Sequence, residues 1–159
     1  MGQRPEHLEP GRTLSPVTVE LNGAPLVLGC GTPGRNQLLL FERGHWCAAC
    51  RRHLALIADE HAAFAGRHLD QVAVTHEEPG ELQSRIYPYP VIADPDLQIA
   101  ERFGVVRVDE FAKLTIRPTA IVATVECKIL FSYVGDDSRD RPTIPALLLA
   151  LDTFPSTHS

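Results

Sequence analysis

Two cysteines separated by two residues, Cys47-Ala-Ala-Cys50, are the part of this sequence best suited to chemistry. A thiolate, not a thiol, is the nucleophile, so what matters is what holds the anion. Cys50, Leu54, Ile57, His61 and Phe64 recur at steps of four and three residues, which predicts a helix from Cys47 to about Arg67 with one apolar face. Both sulfurs then sit in the first helical turn, where unpaired backbone N–H groups and the helix dipole favour negative charge. In such settings a thiol pKa falls from about 8.5 to roughly 3.5 to 7.5. A sulfenic acid formed on one sulfur would meet the other and condense to a disulfide.

The same pair could be half of a zinc site, with His45 or His53 as further ligands. No second Cys-x-x-Cys and no spaced histidine pair completes four ligands, so neither metal nor cofactor is assigned. His45, His53, His61 and His76 are read as surface or internally satisfied residues. Cys127 falls in a hairpin turn eight or nine residues beyond Pro118. At about 3.3 Å per strand residue, this places it roughly 25 to 30 Å from the pair, too far for an intramolecular resolving thiol without rearrangement. Cys30, in a glycine-rich loop, is left unassigned.

These residues need a framework. Val17 to Leu28 reads as two strands around Asn22-Gly23, a strong signal for a tight hairpin turn. Gln37 to Glu42 and Gln71 to Thr75 are short apolar runs suited to central strands. Pro79 with Glu81 to Ile86 fits a short helix, and Val91 to Ala93 another strand. Asp94 and Pro95 would open a helix from Asp96 to Phe103 that Gly104 ends. Ala120 to Val125 and Ile129 to Val134 form an antiparallel pair, and Ile144 to Leu151 a last helix. The order mixes a parallel βαβ half with an antiparallel edge, hence an α/β class with a central mixed sheet flanked by helices and an N-terminal β-hairpin extension. Residues 1–15, rich in proline and charge, read as a loosely ordered arm, and 16–155 as a single domain.

At 159 residues, with 44% hydrophobic residues, the chain can bury a core of its own. Its net charge of −5 leaves no basic stripe, which argues against nucleic acid. No apolar run approaches the roughly 18 residues of a membrane span. The first residues show neither the apolar core of a signal peptide nor the Ser or Thr of a myristoylation motif, so a cytoplasmic location is expected.

Three segments in order resemble the peroxiredoxin-like proteins of the alkyl hydroperoxide reductase and thiol-specific antioxidant family, within the thioredoxin-like superfamily. They are Phe41-Glu-Arg-Gly-His-Trp-Cys-Ala-Ala-Cys-Arg, then Tyr87-Pro-Tyr-Pro-Val-Ile-Ala-Asp-Pro-Asp with Phe103-Gly-Val, then Arg117-Pro-Thr-Ala-Ile-Val with Tyr133-Val-Gly. The likeness runs from about Leu38 to Leu151. The family's Pro-x-x-x-Thr-x-x-Cys motif, laid on this chain, puts Cys50 at the peroxide-attacking cysteine, Cys47 at the threonine and Arg43 at the proline. The chain thus departs from the motif by replacing a hydroxyl with a second thiol.

The resemblance implies a thioredoxin-like fold and a thiol-dependent peroxidase. Cys50 would attack the hydroperoxide, Cys47 would resolve the sulfenic acid, and an external thioredoxin-like dithiol would regenerate the pair. It further implies Arg117 beside the reactive sulfur, with Trp46, Pro118 and Thr119 around the substrate and Pro118 in the place of a thioredoxin cis-proline. A homodimer is among the assemblies it allows. Thioredoxin chemistry would elect Cys47 as the first nucleophile instead. That superfamily's buried Asp six residues before the first cysteine is Phe41 here, while Glu42 points to the opposite face of the strand. A general disulfide oxidoreductase acting on protein disulfides and a non-catalytic redox-sensing module are the rival readings.

Overall fold

The computed structural model describes residues 4–79, 87–137 and 139–153. Strand β1 (Val17–Leu21) and strand β2 (Ala24–Leu28) form the expected hairpin, with Asn22 and Gly23 both at positive φ, 52° and 80°. That double left-handed turn is why the Asn-Gly pair is such a reliable signal.

The main sheet has five strands in the order β5-β4-β3-β8-β9. Its centre is β3 (Asn36–Glu42), which runs parallel to β4 (Leu69–Thr75) and antiparallel to β8 (Thr119–Ala123). Strand β5 (Val91–Ala93) extends the parallel side, and β9 (Ile129–Val134) the antiparallel side. A further hairpin, β6 (Val106–Val108) with β7 (Leu114–Ile116), occupies a stretch the sequence pattern leaves unassigned. Its five-residue turn is held by Asp109, whose carboxylate accepts from the N–H groups of Phe111 and Lys113.

β3 is covered on both faces, and its alternation sorts its side chains into two cores. Leu38 and Leu40 pack with Leu54 and Ile57 of α1 (Ala48–Asp59), Phe64 of α2 (His61–Ala65) and Leu147 of α4 (Ile144–Thr153). Leu39 and Phe41 pack on the other side with Phe103 and with Ala100 of α3 (Gln98–Arg102). Glu42 therefore belongs to the α1 side, one residue out of phase with Phe41.

Several sequence expectations shift. The single helix from Cys47 to about Arg67 is two, because Glu60 leaves helical geometry at φ −102° and ψ 18°. Asp94 does serve the third helix, accepting from the N–H groups of Ile99 and Ala100, but helical residues begin only at Gln98, after left-handed Leu97. Residues 4–14, expected as a loose arm, lie against β9. Gly11 N donates to the Ile129 carbonyl and Leu14 N to that of Cys127, while Leu8 and Leu14 are buried in the Phe41 core. Two leucines spaced among prolines and charges carry no periodic signal, so composition alone misses them. The expected helix over 79–86 lies almost wholly outside the described residues.

Candidate active site

The cysteine pair begins where β3 ends. Gly44 has φ +142°, and a Cβ built there would fall 2.5 Å from the Trp46 indole nitrogen, so the tight entry into the loop needs glycine. The next residue, His45, is clamped. Its backbone N–H donates to Glu77 Oε2 at 2.9 Å, its Nδ1 lies 2.5 Å from Glu77 Oε1, and its Nε2 lies 2.7 Å from the Tyr87 hydroxyl. Thr75 at the end of β4 donates to the same carboxylate, and Arg51 donates to the His45 carbonyl. The parallel β3–β4 pair thus fixes the loop that delivers Cys47.

Cys47 is the N-cap of α1, with extended backbone and a side chain that accepts from the Cys50 N–H. The Cys50 thiol also donates to Cys47 Sγ at 2.8 Å. Cys50 is fully enclosed, while Cys47 retains 8% of its surface. These two hydrogen bonds, with Arg141 and Arg43 nearby, outweigh partial burial and bring the Cys47 thiol down to about 6. Cys50 moves the other way: donating its hydrogen bond to Cys47, burial and the charge of Glu42 raise it well above the ordinary thiol range.

Behind Cys50 lies a buried ionic group. Arg141, in the segment leading into α4, donates through Nη2 to Cys50 Sγ at 2.9 Å and through Nη1 to Glu42 Oε2. His53 Nδ1 lies 2.8 Å from the other oxygen of Glu42. Burial alone would push the Glu42 carboxyl up, but His53 and Arg141 hold it below the usual range by charge and hydrogen bond. A carboxylate enclosed on the α1 side of β3 therefore does stand near the pair, at position 42 where the thioredoxin pattern has it one residue earlier.

Of the residues singled out in the sequence, Cys47 and Cys50 meet as expected. Trp46 stands at the rim, half exposed, with its ring 4.8 Å from the Arg43 guanidinium and its indole N–H donating to the His76 carbonyl. Thr119 faces Phe41 across the β3–β8 register, so Pro118 lies at the same end of the sheet. Pro118 is buried and trans, because no cis peptide bond occurs among the described residues; this corrects the cis-proline expectation. The Thr119 hydroxyl donates to the Arg117 carbonyl.

The expected arginine is also corrected. Arg117 sends its Nε to the Gly135 carbonyl at 2.8 Å and lies 3.7 Å from Asp136, whereas the guanidinium bonded to sulfur is that of Arg141. Carbonyl and carboxylate just past β9 draw Arg117 to that strand's end. Nothing in the local sequence around Arg141 marks it, since it comes from 91 positions beyond Cys50. Glu42 and His53 were more accessible. Alternation in β3 puts Glu42 on the side of Leu38 and Leu40, and His53 follows Cys50 by one helical turn.

Cys30 and Cys127, left without a partner by sequence reasoning, form a disulfide across 97 positions, with Cα atoms 4.2 Å apart. Cys30 precedes β3 and Cys127 lies between β8 and β9, near the Gln37–Ala123 end of the register. The strand length of β3, about 20 Å, separates this bridge from the Cys47–Cys50 pair.

A model of the AhpC/TSA family matches residues 31–131. Among solved structures, peroxidoxin BcpB from Mycobacterium tuberculosis is similar with a TM-score of 0.76 at 22% identity, over 94% of this chain and 100% of that one. AhpC from Mycobacterium bovis is similar with a TM-score of 0.72 at 14% identity, over 92% of each chain. A putative thiol:disulfide interchange protein DsbE from Chlorobium tepidum reaches 0.65 at 19% identity, over 91% of this chain and 99% of that one. At such identities these likenesses carry the thioredoxin-like fold. No curated protein matches the sequence.

Proposed function

Because the chain belongs to the AhpC/TSA family, whose chemistry is that of thiol peroxidases, we propose that it reduces hydroperoxides through the Cys47/Cys50 pair with Cys47, not Cys50, as the attacking sulfur. The observation that carries this order is the Cys50 thiol donating to an N-cap Cys47 sulfur at 2.8 Å. The proton is held on the inner cysteine and the charge on the outer one, which is also the one with surface left to meet a substrate. The motif spacing that elects Cys50 rests on position alone, and the electrostatics oppose it.

The Cys47 thiolate attacks the distal peroxide oxygen, the O–O bond breaks, and the alkoxide leaves as an alcohol after taking a proton from water. Cys50 then attacks the Cys47 sulfenic sulfur. Hydroxide leaves with the proton Cys50 gave up, and the disulfide closes. A sulfur separation of 2.8 Å needs to shrink by only about 0.8 Å to reach bonding length, so helix α1 need not unwind. An external thioredoxin-like dithiol reduces the bridge by exchange. The cytoplasm is the compartment in this reading, and a homodimer is an assembly that sedimentation would decide.

A Cys47-first order is equally the order of a disulfide oxidoreductase, and the same assay distinguishes the two. Peroxide-dependent oxidation of a thioredoxin and its reductase is followed for wild type, Cys47→Ser and Cys50→Ser, beside insulin disulfide reduction. Peroxide turnover lost entirely in Cys47→Ser, with Cys50→Ser still forming a sulfenic acid in one turnover, is the expected result. Rapid insulin reduction with no peroxide consumption would transfer the protein to the oxidoreductase class.

A further inference from the structure

Arg141 is bonded to the buried sulfur, not to the attacking one, which is the less obvious place for a cation in a thiol peroxidase. Its fork spans two anchors, with Nη2 on Cys50 Sγ at 2.9 Å and Nη1 on Glu42, whose other oxygen is 2.8 Å from His53 Nδ1. The charged and titratable groups around Cys50 are thus Glu42 from β3, Cys47 and His53 from α1, and Arg141 from the segment before α4. We propose that Arg141, oriented by Glu42 and His53, is the group that turns Cys50 into the resolving nucleophile, and that it does so only after Cys47 has been oxidised.

The reduced pair carries a single negative charge. In the reduced pair that charge is on Cys47, and the Cys50 proton lies in the bond between the sulfurs. Arg141 is then bonded to a neutral thiol, and its charge adds to the stabilisation of the Cys47 thiolate less than the two hydrogen bonds from Cys50 do. Once Cys47 has become a sulfenic acid it is no longer an anionic acceptor, and Cys50 loses the partner that did most to retain its proton. Of the neighbours that remain, Arg141 favours the thiolate, and the opposing charge of Glu42 is already engaged by Arg141 and His53. The guanidinium is in place before the charge appears, so resolution requires no reorganisation. Glu42 and His53 act through Arg141 and are positioning residues. This inference rests on the Cys47-first reading above.

Removing a cation at this range raises a thiol pKa by about 1 to 3 units. Taking about 2, the thiolate fraction near neutral pH falls about a hundredfold. The more basic thiolate gains roughly eightfold in nucleophilicity, given a Brønsted slope of about 0.4 to 0.5. Closure of the disulfide should then slow about tenfold.

The test reads Cys50 without peroxide. Reduced protein is mixed with stoichiometric dithiobis(nitrobenzoate). Cys47 displaces one thionitrobenzoate and keeps the other as a mixed disulfide, which Cys50 then displaces, so two releases are seen by stopped flow. In Arg141→Met the second release is expected to slow about tenfold, with its pH midpoint raised, and the first to change far less. Arg141→Lys should recover most of the second rate. With hydroperoxide, Arg141→Met should accumulate dimedone-reactive Cys47. Should the methionine variant fail to fold by circular dichroism, Arg141→Gln keeps a polar group of similar reach and gives the same reading. An unchanged second release, or equal slowing of both releases without lysine rescue, overturns the inference. If the two releases behave as described but peroxide leaves Cys47 untouched, the peroxidase reading fails and the role of Arg141 stands.

Discussion

Two thiols in one helical turn are chemically alike until their surroundings divide them. Here the division is made by enclosure and by the direction of one hydrogen bond. Cys50 is sealed and donates, and Cys47 caps the helix and accepts. Alkylation of reduced protein by iodoacetamide tests this. Because the thiolate reacts and the thiol does not, the Cys47 rate should rise with pH through a midpoint near 6 and level off above it, with about nine-tenths of the sulfur ionised at pH 7. Cys50→Ala removes the donor that contributes most, so the midpoint should move upward. A midpoint that stays in place would assign the effect to the helix terminus and the arginines instead. At this scale the Cys-x-x-Cys spacing was legible in the sequence, and the polarity of the pair was not. Spacing puts both sulfurs in the first turn and the apolar stripe puts Cys50 on the buried side, but neither gives the direction of the hydrogen bond between them.

The elements act as holders. β3 supplies Glu42 and the strained entry to the loop, β4 and the turn after it supply Thr75 and Glu77, and α1 supplies both sulfurs and His53. Gly44 is the hinge of this arrangement, since any side chain there meets an unfavourable positive φ and the Trp46 indole. Gly44→Ala should destabilise the fold by about 1 to 3 kcal/mol in urea denaturation, and the emission of Trp46, the sole tryptophan of the chain, should shift as its ring is displaced. A silent substitution would show that the loop relaxes around the added methyl group. β3, α1 and the β8–β9 pair were readable from apolar runs and period alone. The β6–β7 hairpin was not, because its outward residues Val108, Phe111 and Leu114 are exposed apolar side chains that blur the alternation.

Across the whole molecule, the main sheet separates two pairs of sulfur atoms. The free pair works at the end of β3, while Cys30–Cys127 closes a long loop at its start. A bridge spanning 97 positions constrains the unfolded chain heavily, by about 4.7 kcal/mol in a loop-entropy account and typically 2 to 5 kcal/mol when a native bridge is removed. Cys127→Ser should therefore lower the unfolding free energy by an amount in that range, read from a denaturant titration, while the pH midpoint of Cys47 alkylation stays where it was. A shift of both would mean that the two ends of the sheet are coupled through β3. Among the described residues no helix is long and apolar enough to cross a membrane.

The sequence by itself determined the elements around the site. Period, turn chemistry and helix-start signals are local, and they placed two thiols in the first turn of a helix after a buried strand. Separately, three motif segments from Phe41 to Gly135 carried the family likeness that the match over residues 31–131 bears out. The tertiary structure alone decided which arginine meets the sulfur, which cysteines bridge and where residues 4–14 lie. Each of these depends on contacts between positions about 90 or more apart, such as Arg141 with Cys50, Cys30 with Cys127 and Leu14 with Cys127. Such partners are chosen by the geometry of the folded sheet and by burial, neither of which leaves a mark on neighbouring residues in the chain.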